Sequence, residues 1–327
     1  KEEKLNGNLR ISVRHSSQSS LLNDLLVQDE IRVSAQLITF QGYRNFSPPA
    51  FQGYFKNQNI HARAFSKSPL LIERIGTGNR FSLLRMISWI RQKVQQKIEE
   101  HFSSPKSGSL SQKGAVLEAL LLGERRRIDE DISRSLQHAG LFHLFAISGA
   151  HIAIISFLFF SIFKLFRIST RFSYLFLMVF LVFYALLIEG RPSVLRATIM
   201  ALAFLFGKLA WKDVNLINTV SVSAFILLLI NPSHLFTLGF QLTFAATISI
   251  ILFFPRVNKY LPKLPLRISE IFALSITAQL GVLPFIVYSF NRVTFSSLLL
   301  NYAALPLMGL IMFSGYLFLP LSFLSFS

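Results

Sequence analysis

The sequence contains no cysteine, which excludes disulfides and any cysteine-ligated zinc or iron–sulfur centre. Acidic side chains are scarce: 16 Asp and Glu stand against 33 Lys and Arg in 327 residues, a formal net charge of +17. No internal repeat is visible. The chain begins at Lys1 without a methionine or a signal-like apolar stretch, which points to a fragment or to loss of an upstream segment.

What the chain has in abundance is apolar surface. Hydrophobic residues make up 52%, charged residues 15%, the mean hydropathy is +0.50 and phenylalanine alone occurs 34 times. That is too apolar for a soluble domain of this length, and an integral membrane protein follows. The charges are unevenly spread. Residues 1–140 hold 21 of the 33 Lys and Arg and 13 of the 16 Asp and Glu, whereas residues 141–327 hold 12 and 3. A polar N-terminal region therefore precedes a membrane domain whose few charges are mostly positive.

Residues 8–75 read as short strands. Segments 8–13, 30–39 and 60–65 are rich in β-branched residues with partial alternation, and the turn-rich QGYRNFSPPAFQGYFKN separates the last two. A small β-barrel or sandwich fits that spacing. From residue 81 to 102 the period changes, because Leu83, Ile87, Ile90, Val94, Ile98 and Phe102 recur every three or four residues with Arg85, Arg91, Lys93 and Lys97 on other faces. This predicts an amphipathic helix whose basic side suits a membrane surface. SSPKSGSLSQKG is a linker by composition, and AVLEALLLG and DEDISRSLQHAG predict two short helices, the second with Asp129 as N-cap and Gly140 as its stop. The expected division is thus 1–80, an extracytoplasmic β domain; 81–140, amphipathic and connecting helices; and 141–327, a membrane domain.

Beyond Leu141 about seven spans are expected, near 144–163, 172–188, 193–210, 214–230, 235–254, 271–290 and 294–318, each close to the roughly 20 residues that cross a hydrocarbon core about 30 Å thick. Their first, third and fifth connections carry Lys164, Arg167, Arg171, Lys208, Lys212, Arg256, Lys259, Lys263 and Arg267, against Arg191 and Arg292 in the intervening ones. The positive-inside rule puts the first set in the cytoplasm and the N-terminal region outside. Arg125, Arg126 and Arg127 then fall on the side the rule disfavours, but a folded, translocated domain is poorly governed by it.

The first span, LFHLFAISGAHIAIISFLFFSIF, carries costly polar groups at the mouth of an apolar run: His143, His151 and a break at Ser148-Gly149. Further breaks are expected at Gly190-Arg191-Pro192, Asn231-Pro232, Gly281 with Pro284, and Pro306 with Gly309; as a set they suggest a polar cavity, while each alone is equally a packing feature. His143 and His151 are two turns apart, about 12 Å on a straight helix, and cannot share a metal ion. No metal or other cofactor is expected. Arg196 falls inside a span, where it should pair or face water; Glu189 is its candidate partner, leaving Arg191 to meet an anion. Gln241, Gln279 and Asn301 complete the polar-path candidates. In the N-terminal region Tyr43 and Tyr54, with neighbouring Phe residues, interleave with Arg44, Lys56 and Arg63. Such interleaving serves single-stranded nucleic acid in small barrels, or equally the packing of a small domain.

HLFAISGAHIAII resembles the signature of the ComEC competence family, membrane proteins of DNA uptake. Its lead-in ALLLGERRRIDEDISRSLQHAGL and the segments EGRPSVLRATIMA, NPSHLFTLGFQLTFAATISI, AQLGVLPFIVYSF and SSLLLNYAALPLMG match in the same order. RNFSPPAFQGYFKNQNIHARA resembles the end of that family's small OB-like domain, although NFSPPAF stands where members carry an Asn-Pro-Gly, Phe-Asp pattern. The resemblance implies a polytopic α-helical membrane protein with an N-terminal OB-like β-barrel, in the inner membrane, conducting single-stranded DNA to the cytoplasm. It also implies partners: the bilayer, a DNA receptor, a cytoplasmic motor and further copies of the chain. Many members add a metallo-β-lactamase-like domain. No His-x-His-x-Asp-His motif occurs here, so no nuclease activity is expected of this chain, and the chain ends where members usually continue with more helices. The competing reading is a transporter for a small anionic or lipid-like solute, with the N-terminal domain a structural or assembly module.

Overall fold

The computed structural model describes residues 8–13, 25–38, 60–78, 82–103, 110–141, 145, 147–210, 213–262, 268–290 and 296–324. The chain forms two compact units, Lys1–Gln92 and Lys93–Ser327. In the first, β1 (Asn8–Val13) runs parallel to β4 (Ile60–Ser66), which pairs antiparallel with β3 (Gln36–Ile38). Separately, β2 (Glu30–Val33) pairs antiparallel with β5 (Ile72–Gly76). The single strand expected over 30–39 is therefore two strands in two sheets. Ser34 is the cause: its amide leaves the ladder for the Leu71 carbonyl (3.0 Å) and its own carbonyl accepts the Ser66 hydroxyl (3.2 Å). Among the described residues the two small sheets do not close into a barrel.

Asp29 anchors this unit. Its buried carboxylate accepts the Leu26 amide (2.9 Å) and the Arg85 guanidinium (2.5 Å). Burial opposes its ionisation, but these two donors outweigh it and hold the carboxyl below the usual range.

Helix α1 (Leu83–Phe102) buries Ile87, Val94 and Ile98 on the expected stripe, while Leu83, Leu84, Met86 and Trp89 stay exposed. Helix α2 (Gln112–Leu122) starts three residues before the expected AVLEALLLG because the Ser111 hydroxyl caps it, accepting the Gly114 amide (3.3 Å). It is apolar on nearly every face and is buried from Gly114 through Leu122 except at Val116, as a helix without a polar side must be. Gly123 ends it at φ 75°, a left-handed position that favours glycine. Helix α3 (Glu130–His138) has the expected Asp129 cap, whose carboxylate accepts the Asp131 amide (3.1 Å).

Seven apolar helices follow: α4 (Gly149–Leu165), α5 (Thr170–Leu187), α6 (Pro192–Ala210), α7 (Leu216–Ile230), α8 (Leu238–Tyr260), α9 (Ile268–Phe290) and α10 (Ser296–Leu324). Each occupies the position of an expected span. Five of them, α5, α6, α8, α9 and α10, are long and apolar enough to cross a membrane. Helices α4 and α7 have 17 and 15 residues, about 26 and 22 Å at ~1.5 Å per residue, less than a hydrocarbon core of about 30 Å.

Two expectations about breaks change. Gly281 and Pro284 do not interrupt α9, and Pro306 and Gly309 do not interrupt α10; both helices run through them. A proline removes one backbone donor, a loss a long packed helix absorbs. By contrast the span expected from 144 becomes helical only at Gly149.

Lipid supplies no hydrophobic drive between helices, so their contacts rest on close packing. Between α4 and α5 this is a run of aromatic rings: Phe159 lies 4.5 Å from Phe180, Phe163 5.0 Å edge-on to Phe176, and Phe176 stacks on Phe180 at 6.0 Å. Between α8 and α9 it is a small-residue contact. A Cβ on Gly281 would lie 2.5 Å from the Ser249 Cβ and 2.7 Å from the Ala245 carbonyl oxygen, whereas one on Gly309 would meet nothing within 4 Å. Gly281→Ala is expected to lower the stability of the detergent-solubilised chain by about 1–3 kcal/mol through overpacking, and Gly309→Ala to leave it unchanged or raised. Thermal melting of both variants beside the parent checks this.

Candidate functional site

The mouth of α4 is built by a cap. Ser148 is the N-cap, and three residues on, where a capping box ordinarily places Glu or Gln, stands His151: its Nδ1 accepts the Ser148 amide at 3.3 Å. His151 is fully buried, and among the described residues its Nε2 has no hydrogen-bond partner. Because Nδ1 acts as an acceptor, the ring proton of the neutral imidazole sits on Nε2. Gly149 opens the helix and faces Ala197 of α6.

The turn between α5 and α6 supplies the second wall. Glu189 and Gly190 are both left-handed (φ 59° each), and the Gly190 amide bonds back to the Ala185 carbonyl (2.9 Å), which turns the chain sharply into Pro192, the first residue of α6. Ser193 donates to the Ile147 carbonyl (2.7 Å), tying the start of α6 to the segment that enters α4. The Arg191 guanidinium lies against Gly123, where a Cβ would come 3.0 Å from Nη1 and 2.7 Å from the Ile147 side chain.

Arg125, two residues past Gly123, completes the cluster. It is half-buried and within electrostatic reach of both Arg191 and His151. Burial, and then the positive Arg191, push its guanidinium pKa down. Sequence reasoning missed this residue, reading Arg125-Arg126-Arg127 only as a charge-rule anomaly. The signal was the glycine two residues before it, which frees the chain to bend back.

Arg196 sits deeper, on α6. Its Nε donates to the Thr243 hydroxyl of α8 (3.1 Å) and its guanidinium packs over Gly239. The expected pairing with Glu189 is not made: no acidic group lies within ion-pair distance of Arg196 among the described residues, and Glu189 is exposed in its left-handed turn. Gln241 donates to the Leu235 carbonyl (3.1 Å). Gln279 is half-buried and Pro284 exposed on α9. Among the described residues, the buried Oδ1 of Asn301 on α10 has no partner, nor does the hydroxyl of Thr198 on α6, another polar atom the sequence did not single out. His143, Arg44, Lys56, Tyr43 and Tyr54 lie outside the described residues, and Arg63 falls within β4.

A separate polar knot is centred on α2. Glu118 of the buried helix α2 is 1% exposed; its Oε1 accepts Gln95 Nε2 (2.9 Å) and its Oε2 faces Arg127 (3.6 Å), which also binds Glu99. Desolvation by burial raises the Glu118 pKa, against the pull of Arg127 and the Gln95 hydrogen bond.

Five helices long and apolar enough to cross a membrane define a multi-pass membrane protein. Residues 120–327 match the competence protein family, and the chain belongs to it. It is similar to ComE operon protein 3 of Bacillus subtilis (strain 168), 33% identical over 191 residues, which cover 58% of this chain and 24% of that protein. It is also similar to an uncharacterized protein of Aquifex aeolicus (strain VF5), 28% identical over 210 residues, 63% of this chain and 47% of that one. The chain thus spans about a quarter and about half of these two relatives. No solved structure matches it.

Glu118 gives a pH test. Its folded-state pKa is raised, so its contribution to stability is present below the ordinary carboxyl value and is lost as pH rises through the folded value. The melting temperature of the solubilised chain is expected to fall over that rise, with Arg127, Glu99 and Glu124 as the charged neighbours, and Glu118→Gln is expected to flatten the fall.

Proposed function

We propose that the chain is an inner-membrane channel component that conducts single-stranded DNA into the cytoplasm during natural transformation. In this reading residues 1–80 are an OB-like domain outside the membrane, residues 81–140 connect it, and residues 141–327 are the channel-forming part of a multi-pass assembly. A DNA receptor, a cytoplasmic motor and further copies of the chain are its partners. Tyr43, Arg44, Tyr54, Lys56 and Arg63 are then the strand-contacting side chains of the outer domain.

One observation carries the reading. In a member of the competence family, two guanidiniums of the membrane region, Arg191 and Arg196, make no ion pair among the described residues. A cation in an apolar layer is expensive unless it is paired or faces water. A polyanion in transit supplies the missing countercharge, and buried acceptors and donors with no partner among the described residues, such as those of Asn301, Thr198 and His151, favour a wetted route over a dry bundle. The chain itself acts here as a conduit, with strand degradation left to another domain or protein.

Deleting the gene in its host and following labelled duplex DNA tests this. Label is expected to reach the surface but not the cytoplasm, with import restored by the parent gene and not by an Arg191→Ala, Arg196→Ala double variant. Unchanged import in the deletion strain overturns the reading and moves the solute-transporter alternative ahead.

A further inference from the structure

Helix α2 has one gap in its burial. It is covered from Gly114 through Leu122 except at Val116, and Val116 lines a groove of about 550 Å³ shared with the end of α1 and with α10. That volume falls within the roughly 300–1,000 Å³ of small-molecule sites. The α10 wall is Ile311, Ser314, Gly315 and Phe318, a spacing that puts them on one helix face. Gly315 is where the two helices touch, since a Cβ there would come 2.8 Å from Leu121 and 2.9 Å from Leu117. Phe318 and Phe102 of α1 also line the groove and meet edge-on at 5.8 Å. The lining is apolar apart from three side chains.

Two of those three are already engaged within the protein. Ser314 Oγ donates to the Ile311 carbonyl (3.0 Å), and Gln112 Oε1 accepts the Asp129 amide (3.2 Å), which leaves the Gln112 NH2 group as a neutral donor. The third, Lys113, is exposed and is the only ionisable group among the described lining residues. Among the described residues its ammonium has neither an ion pair nor a hydrogen bond. The carboxylates of the neighbouring helices are used elsewhere: Glu99 and Glu118 face Arg127, and Glu100 pairs with Lys97 at 2.7 Å.

We propose that this groove binds an anionic phospholipid, one acyl chain lying against Val116, Leu117, Ile311 and Phe318 and the phosphate meeting Lys113. The surroundings and the charge select that occupant. Helix α10 is long and apolar enough to cross a membrane over Leu300–Phe323, so a groove along residues 311–318 opens to lipid. A lysine can run its methylene stem along an apolar wall and still present its ammonium to a headgroup. One compact charge suits a single phosphate, and basic pockets beside membrane helices take anionic headgroups. A zwitterionic lipid carries its own ammonium and has less use for a second. The site stands apart from the channel reading and needs only that α10 lies in the bilayer.

The test uses the full chain, reconstituted in nanodiscs of equal phosphatidylcholine and phosphatidylglycerol, released into mild detergent and weighed by native mass spectrometry. One retained phosphatidylglycerol per chain is expected. Lys113→Gln is expected to lower the retained phosphatidylglycerol-to-phosphatidylcholine ratio about fivefold, the worth of one lysine beside anionic lipid, and Lys113→Arg to preserve it. Ser314→Trp, which fills the groove from an exposed position, is expected to reduce the bound count by one lipid. Lys97→Gln removes a lysine already paired with Glu100 and is expected to match the parent. An unchanged ratio in Lys113→Gln, or an equal loss in Lys97→Gln, overturns the site. Displacement of the lipid by glycerol 3-phosphate at equal concentration shows that the groove plays no part and overturns it too. If the parent runs as a dimer that Ser314→Trp separates, a second copy of the chain fills the groove and the lipid assignment falls.

Discussion

A helix that starts within an apolar layer leaves its first backbone amides with nothing but protein to bond. The contact between the Ser148 amide and His151 Nδ1 answers that need for α4, and the rest of the mouth is arranged around it. The cap places the imidazole inside, sets its tautomer and leaves a donor pointing away from the backbone. Were the third position after Ser148 a glutamine, the amide would be satisfied equally well, but the remaining donor would be a flexible primary amide. The ring is stiffer and presents one N–H in one direction.

Much of this was legible in the sequence, and what was not has identifiable causes. Segment periodicity and charge placed a helix at all seven apolar positions and at Leu83–Phe102, and the Asp129 cap was readable as a residue type in the right place. The Ser148-x-x-His151 cap was not read, because histidine is not the usual partner at that spacing; the pair looked like a break within a span and turned out to be a helix start. Proline misled in the other direction, since α8, α9 and α10 each carry one or two internally without ending. Ion pairing was misjudged for the same reason that hides most tertiary contacts. Arg196 and Glu189 are neighbours in sequence, yet a left-handed turn faces one outward while the other reaches α8. Arg125 was invisible as a site residue because its position depends on the backbone angle of Gly123.

The abundance of phenylalanine acquires a role only in three dimensions. Rings on α4 and α5 interlock where lipid gives no reason for two apolar helices to associate, and tilted and edge-to-face geometries supply directionality that aliphatic side chains lack. Glycine does the opposite work at α8 and α9, where closeness rather than bulk is the source of contact. The family match begins at residue 120, inside buried helix α2. The Glu118 knot thus stands just ahead of the matched region.

The hydrogen bond from Ser193 to the Ile147 carbonyl has a mechanical meaning. It joins the first turn of α6 to the non-helical lip that feeds α4, and α6 is the helix that also carries Arg196 to Thr243 on α8. Ser193 and Arg196 lie within one turn of α6, so that single turn fastens both the segment that enters α4 and helix α8.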